Sequence, residues 1–124
     1  MECIITGTVI HGKKLGRSLG FPTANLLIDP SLEIANGVYA GRGALAGKPY
    51  GALVNIGYNP TVPTGGKRLL EAHLLDFSGD LYGRTISVEL VAFLRPEQKF
   101  ASLDELRERI EQDKTEIIKI LETC

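Results

Sequence analysis

Tryptophan is absent from this chain, and aromatic residues fill only 6% of its 124 positions. So few rings leave little to stack unpaired bases on, and a formal net charge of −1 gives no basic groove for a nucleic-acid backbone. No apolar run approaches the roughly 20 residues that cross a bilayer. The start, Met-Glu-Cys-Ile-Ile-Thr-Gly, has no basic segment leading into an apolar one, so no signal peptide is expected. Its two cysteines, Cys3 and Cys124, stand at opposite ends without metal or redox spacing, and read as incidental thiols of a reducing cytoplasm. There is no Cys-x-x-Cys and no His-Glu-x-x-His, and two histidines give a Ser-His-Asp site little to build on. Neither Gly-x-Gly-x-x-Gly nor Gly-x-x-x-x-Gly-Lys-Ser/Thr occurs, which sets aside the Rossmann and P-loop ways of holding a nucleotide.

What is present is a single domain of ordinary globular composition, 44% hydrophobic and 23% charged. Short β-rich runs alternate with Gly/Pro/Asn turns, without repeats or a linker. Residues 3–10 are rich in β-branched side chains and make a strand. Residues 37–46 and 51–57 make two more, joined through Gly47-Lys48-Pro49. In 69–76, Leu70, Ala72 and Leu74 face one way and Glu71 and His73 the other. A turn at Ser78-Gly79-Asp80 leads into 84–94, with Ile86, Val88, Leu90, Ala92 and Leu94 expected inward. Ser102 and Glu105 then form a capping box, and Leu103, Leu106, Ile110, Ile117 and Leu121 recur at helical spacing. Glu105 and Arg109 add an expected i,i+4 pair, while Asp113 and Lys114 interrupt the apolar stripe. The pattern predicts a mostly β domain over 1–124: a closed barrel over about 3–95 and a helix over about 103–122.

The chemistry concentrates in three places. Residues 16–26 read Gly-Arg-Ser-Leu-Gly-Phe-Pro-Thr-Ala-Asn-Leu, with Gly16 and Gly20 around a basic loop and Pro22 ahead of Thr23 and Asn25. If extended, Thr23 and Asn25 project from one face, and a hydroxyl beside a carboxamide suits a metal-bound polyphosphate. A plain surface loop running into a polar edge strand accounts for the same residues. Glu71 is the second place, a carboxylate on a strand beside a basic, mobile-looking loop, Pro63-Thr64-Gly65-Gly66-Lys67-Arg68. It suits a general base, although most such glutamates simply face water. His73 on the same face reads as an orienting group. Third are Asn55 and Asn59 at a strand end, divided between site and turn roles, and Phe100, a staple for the helix start or a cover for an aromatic ligand.

Taken together, these residues resemble the riboflavin kinase (flavokinase) family, which occurs alone or as the C-terminal half of bacterial bifunctional FAD synthetases. The resemblance runs through Gly7-Thr8-Val9 with Gly12, Gly16 to Phe21, and the Pro-Thr-Ala-Asn signature at Pro22 to Asn25. It continues through Gly37-Val38-Tyr39, Asn55-Ile56-Gly57 with Asn59-Pro60-Thr61, and Glu71-Ala72-His73-Leu74. Asp80-Leu81-Tyr82-Gly83, Arg95-Pro96-Glu97 and Lys99-Phe100 close it.

It implies a six-stranded antiparallel Greek-key barrel with a C-terminal helix. The implied reaction is transfer of the γ-phosphoryl of ATP to the ribityl 5′-hydroxyl of riboflavin, giving FMN and ADP. Thr23 and Asn25 would hold Mg²⁺, or another divalent cation, with the phosphates, and Glu71 would take the hydroxyl proton. Gly16, Arg17, Leu19, Gly20, Phe21 and Pro22 would form a flap over the nucleotide. Asn55 would line the site, and Phe100 with the loop before it would lie near the isoalloxazine. The adenylyltransferase half of the bifunctional relatives and its His-x-Gly-His-like motif are missing, so this chain alone is not expected to make FAD. An adenylyltransferase domain in a longer parent chain is the partner the resemblance allows. Arg109, where many relatives carry glutamine, is expected to be a surface change of little consequence.

Two readings compete with a kinase. One is a barrel that captures a flavin or nucleotide without catalysis, which would not need a carboxylate opposite a Thr/Asn pair. The other is an oligonucleotide-binding barrel, which the scarcity of aromatics and of positive charge disfavours.

Overall fold

The computed structural model describes residues 3–10, 23–58, 65–77, 79 and 81–123. Among the described residues there are six strands and one helix: β1 (Cys3–Thr8), β2 (Thr23–Leu27), β3 (Gly37–Leu45), β4 (Lys48–Gly57), β5 (Leu69–Leu74), β6 (Thr85–Arg95) and α1 (Leu103–Glu122). They make a single antiparallel sheet in the order β1-β6-β3-β4-β5-β2. The run β6-β3-β4-β5 is a Greek key, three consecutive strands with the fourth returning beside the first. The sheet curls until its two edges meet beyond β1, where the Ile10 N–H donates to the Asn25 carbonyl at 2.8 Å. Curling protects edges that would otherwise invite pairing with another chain.

The β3–β4 connection is tighter than the expected Gly47-Lys48-Pro49 turn. Ala46 and Gly47 both take positive φ, 51° and 80°, the pattern of a two-residue type I′ hairpin. Lys48 and Pro49 already pair with Leu45 and Ala44. Of the Ser78-Gly79-Asp80 turn, Ser78 and Asp80 lie outside the described residues.

Alternation along the strands sorts side chains into two cores. Ala24, Leu26, Val54, Ile56, Leu70, Ala72, Ile86 and Val88 fill the interior of the curled sheet. Val38, Ala40, Leu53 and Leu75 face outward and are buried beneath Ile110 and Ile117 of α1. The expectation that Ala92 and Leu94 also point inward is corrected: both pack against the helix-side core. β6 slips register against β3 at two places, between Val38 and Tyr39 and between Ala40 and Gly41. Each slip inserts one residue and exchanges the faces, because the side-chain period is two.

The helix begins as expected. Ser102 accepts from the Glu105 N–H at 3.2 Å, and Glu105 Oε2 accepts from the Ala101 N–H at 2.8 Å. With Glu105 engaged there, Arg109 turns to Asp113 instead, so the expected Glu105–Arg109 pair gives way to the cap. Asp113 does not interrupt the packed stripe either. It is fully buried, and both its oxygens receive the Arg95 guanidinium, Nε to Oδ1 at 3.2 Å and Nη2 to Oδ2 at 2.8 Å. This bidentate pair anchors the middle of α1 to the end of β6.

Candidate active site

Strand register brings the candidate residues into rows. Asn25 on β2 lies directly opposite Glu71 on β5, and Glu71 lies directly opposite Asn55 on β4. Asn55 is paired in turn with Val38 on β3, and Val38 with Arg95 on β6. One row therefore crosses five strands: Arg95, Val38, Asn55, Glu71, Asn25. Measured along the curled sheet, the row spans four strand separations, about 19 Å. Since Ala24, Leu26, Val54, Ile56, Leu70 and Ala72 point inward, the whole row belongs to the outer face. The neighbouring row sets Thr23 opposite His73, which is opposite Leu53.

Sequence alone brought Thr23 and Asn25 to one face of an extended segment; the sheet adds Glu71 between two carboxamides. Asn25 is 4% exposed, and its Oδ1 is a buried acceptor with no hydrogen-bond partner among the described residues. An orphaned carboxamide oxygen is costly without a partner, and it is a hard neutral donor of the kind magnesium takes. Among the described residues no three His, Cys, Asp or Glu side chains gather to hold a metal. The neutral oxygens of Thr23 and Asn25, together with phosphate oxygens, are donors that suit a divalent cation. The residues present fit that donor set.

Thr23 Oγ1 lies 3.2 Å from His73 Nδ1. Burial pushes the His73 imidazole down from 6.5 to about 4, so it is neutral at pH 7. A neutral ring with its nitrogen beside the Thr23 hydroxyl meets that oxygen without adding charge.

The other candidates fall elsewhere. Gly16, Arg17, Leu19, Gly20, Phe21 and Pro22 lie outside the described residues, as does Asn59. Phe100 is half-buried two residues before the Ser102 cap, one position ahead of a hydrophobic staple, and the Arg95 guanidinium sits 5.9 Å from its ring centroid. The structure thus ties Phe100 to the Arg95 end of the row rather than to Glu71. Arg68, expected in a mobile loop, is clamped instead. Its Nη1 donates to the Ile34 carbonyl and, at 2.9 Å, to Asn36 Oδ1, and its Nη2 donates to the Leu32 carbonyl at 2.9 Å. Arg109 likewise has a structural task, with Nε 3.2 Å from Asp113 Oδ1, although that N–H is not aimed along a hydrogen bond. Sequence reasoning passed over Asp113 and the Arg95 anchor. A charged residue inside an apolar helical stripe, with an arginine closing the strand before it, was the available signal.

A family model described as flavokinase, riboflavin kinase, matches residues 1–121, and the chain belongs to that family. It is 49% identical over 110 residues to the bifunctional riboflavin kinase/FMN adenylyltransferase of Escherichia coli K12, covering 88% of this chain and 35% of that protein. The chain thus spans about a third of the length of such curated relatives. Among solved structures it is similar to riboflavin kinase from Trypanosoma brucei, with a TM-score of 0.72 and 26% identity, covering 98% of this chain and 80% of that one. It is also similar to a Streptococcus pneumoniae chain described as a macrolide-efflux protein, with a TM-score of 0.78 and 33% identity, covering 90% of this chain and 37% of that one. No helix among the described residues is long and apolar enough to cross a membrane.

Proposed function

We propose that this chain is a riboflavin kinase, transferring the γ-phosphoryl of ATP to the ribityl 5′-hydroxyl of riboflavin to give FMN and ADP. The observation that carries this reading is the register that sets Glu71 between Asn25 and Asn55, with Thr23 one row away. Phosphoryl transfer asks a protein for positioning and charge neutralisation more than for covalent chemistry. Thr23 and Asn25 are the residues that would hold Mg²⁺ with the phosphates. Mg²⁺, when bound, neutralises charge on the transferring phosphoryl group and its leaving group.

Glu71 does the proton work. As the 5′-oxygen forms its bond to the γ-phosphorus, the bond from that phosphorus to the β–γ bridging oxygen breaks and ADP leaves. The hydroxyl proton passes to the Glu71 carboxylate. His73, neutral at working pH, keeps the Thr23 hydroxyl oriented. Gly16 to Pro22, outside the described residues, enter this reading only as the nucleotide-binding residues that the resemblance implies. A cytoplasmic setting, where ATP is abundant and thiols stay reduced, suits the reaction. The adenylyltransferase partner belongs to this reading only as a domain of a longer chain, as in the E. coli relative's name.

The test is direct: purified protein with riboflavin, ATP and Mg²⁺, and separation of the flavin products. FMN formation supports the reading. No FMN, with riboflavin still raising the melting midpoint, leaves a flavin-binding barrel in its place.

A further inference from the structure

Next to the row that holds Glu71, the adjacent row pairs a candidate cation ligand with an imidazole. Thr23 on β2 is directly opposite His73 on β5, and His73 is directly opposite Leu53 on β4. Leu53 is 4% exposed and packs in the helix-side core with Ile110 and Ile117. Side chains of one row share a face of the sheet, so His73 has hydrocarbon on its β4 side and the Thr23 hydroxyl on its β2 side. Its Nδ1 lies 3.2 Å from Thr23 Oγ1.

That contact admits two proton placements, and they leave Thr23 with different chemistry. A hydroxyl carries one hydrogen and two lone pairs. If Nδ1–H donates, one lone pair is taken and the hydroxyl hydrogen points away from the ring. A hydrogen aimed into a cation site opposes the cation. If the hydroxyl donates to Nδ1 instead, its hydrogen is held by the ring and both lone pairs face away from it. A second observation on the same strand favours this placement. Asn25, about 7 Å along β2 on the same face, has a buried Oδ1 with no hydrogen-bond partner among the described residues. The Thr23 oxygen matches that oxygen donor only when its own hydrogen is turned to His73. The ring is able to accept because burial keeps it uncharged at neutral pH.

Resting on the kinase reading, we infer that His73 is a positioning residue: its Nδ1 accepts the Thr23 hydroxyl hydrogen, its own ring proton sits on Nε2, and Thr23 Oγ1 is thereby presented as an oxygen donor to the divalent cation of the nucleotide. No proton is transferred between the two side chains. Groups that hold a metal ligand from behind commonly tune metal affinity by about 10–100-fold.

The first measurement needs no variant. Nitrogen NMR of the imidazole in the wild type at neutral pH should show His73 Nδ1 unprotonated and Nε2 protonated. The second compares MnADP with metal-free ADP, MnADP binding being read from water-proton relaxation. His73→Phe keeps a ring and deletes the acceptor, and it should weaken MnADP binding by about tenfold or more. Its affinity for metal-free ADP should stay unchanged, a split that general damage to the fold would not produce. His73→Asn, whose Oδ1 accepts in place of Nδ1, should recover most of the loss. In a Thr23→Ala background His73→Phe should cost nothing further, since both act through one oxygen. A protonated Nδ1 in the wild type, equal MnADP affinity in wild type and His73→Phe, or equal losses for MnADP and ADP would overturn the assignment. FMN formation by the wild type is followed in parallel. Its absence, with the nitrogen signature intact, counts against the kinase reading; its presence with Nδ1 protonated removes the role of His73 alone.

Discussion

Arg95 and Asp113 form a two-pronged ion pair, 2.8 and 3.2 Å, between the end of the last strand and a fully buried carboxylate in the middle of the helix. The same guanidinium lies beside Phe100. The chain between strand and helix is thus held at its start, and through Glu97 it reaches back to the Gly57 backbone.

Removing one partner of such a pair leaves a buried charge without compensation. Asp113→Ala should cost about 3–5 kcal/mol, read as a lowered midpoint in urea at an unchanged slope. A loss below about 1 kcal/mol would mean that Arg95 relaxes to water at no cost.

Glu71→Gln keeps the size of the side chain and removes its ability to take a proton. Turnover should fall by about 10²-fold or more, with KM for both substrates little changed. Near-normal turnover would take Glu71 out of the mechanism.

Thr23→Ala and Asn25→Ala each delete one neutral oxygen from the proposed cation site. MgATP should be used less well, with KM raised far more than the riboflavin dissociation constant. Equal weakening of both ligands would contradict the assignment.

His73 supplies a pH dependence of stability. Its folded value is depressed to about 4 from 6.5, so below 6.5 the unfolded chain binds a proton that the folded chain resists. Stability present at pH 7 should therefore fall as pH drops from about 6.5 to about 4, and then level off in this component. Urea midpoints across pH 7 to 4 should slope less in His73→Gln than in the wild type, and parallel slopes would rule the histidine out as the source.

Ala46 holds φ at 51°, a left-handed conformation that its β-carbon resists. Ala46→Gly should relieve that strain and stabilise the hairpin by up to about 1 kcal/mol, after allowing for the looser unfolded chain. A lower melting midpoint in the variant would show that the strain is absent.

Much of the architecture was legible in residue order. Alternation in 69–74 placed Leu70, Ala72 and Leu74 inside and Glu71 and His73 outside, and the structure agrees. Ser102 with Glu105 marked the helix start to the residue. These are local rules: strand periodicity and cap chemistry act over a few positions, so a linear reading captures them. Two of the misreadings share one cause. The faces of Ala92 and Leu94 depend on bulges that exist only because β6 pairs with β3, and Asp113 looked like a solvent-facing break until Arg95 came to meet it.

The site divides in the same way. The donor types, a hydroxyl, a carboxamide, a carboxylate and an imidazole, were present in the order of residues, together with the resemblance they carry. Their meeting was decided by strand pairing, which aligned Asn25, Glu71 and Asn55 across three strands, 46 and 16 residues apart in the chain. Local periodicity can say which way a side chain points. Only register, set by long-range hydrogen bonds and by the burial of one whole face, can say what it points alongside.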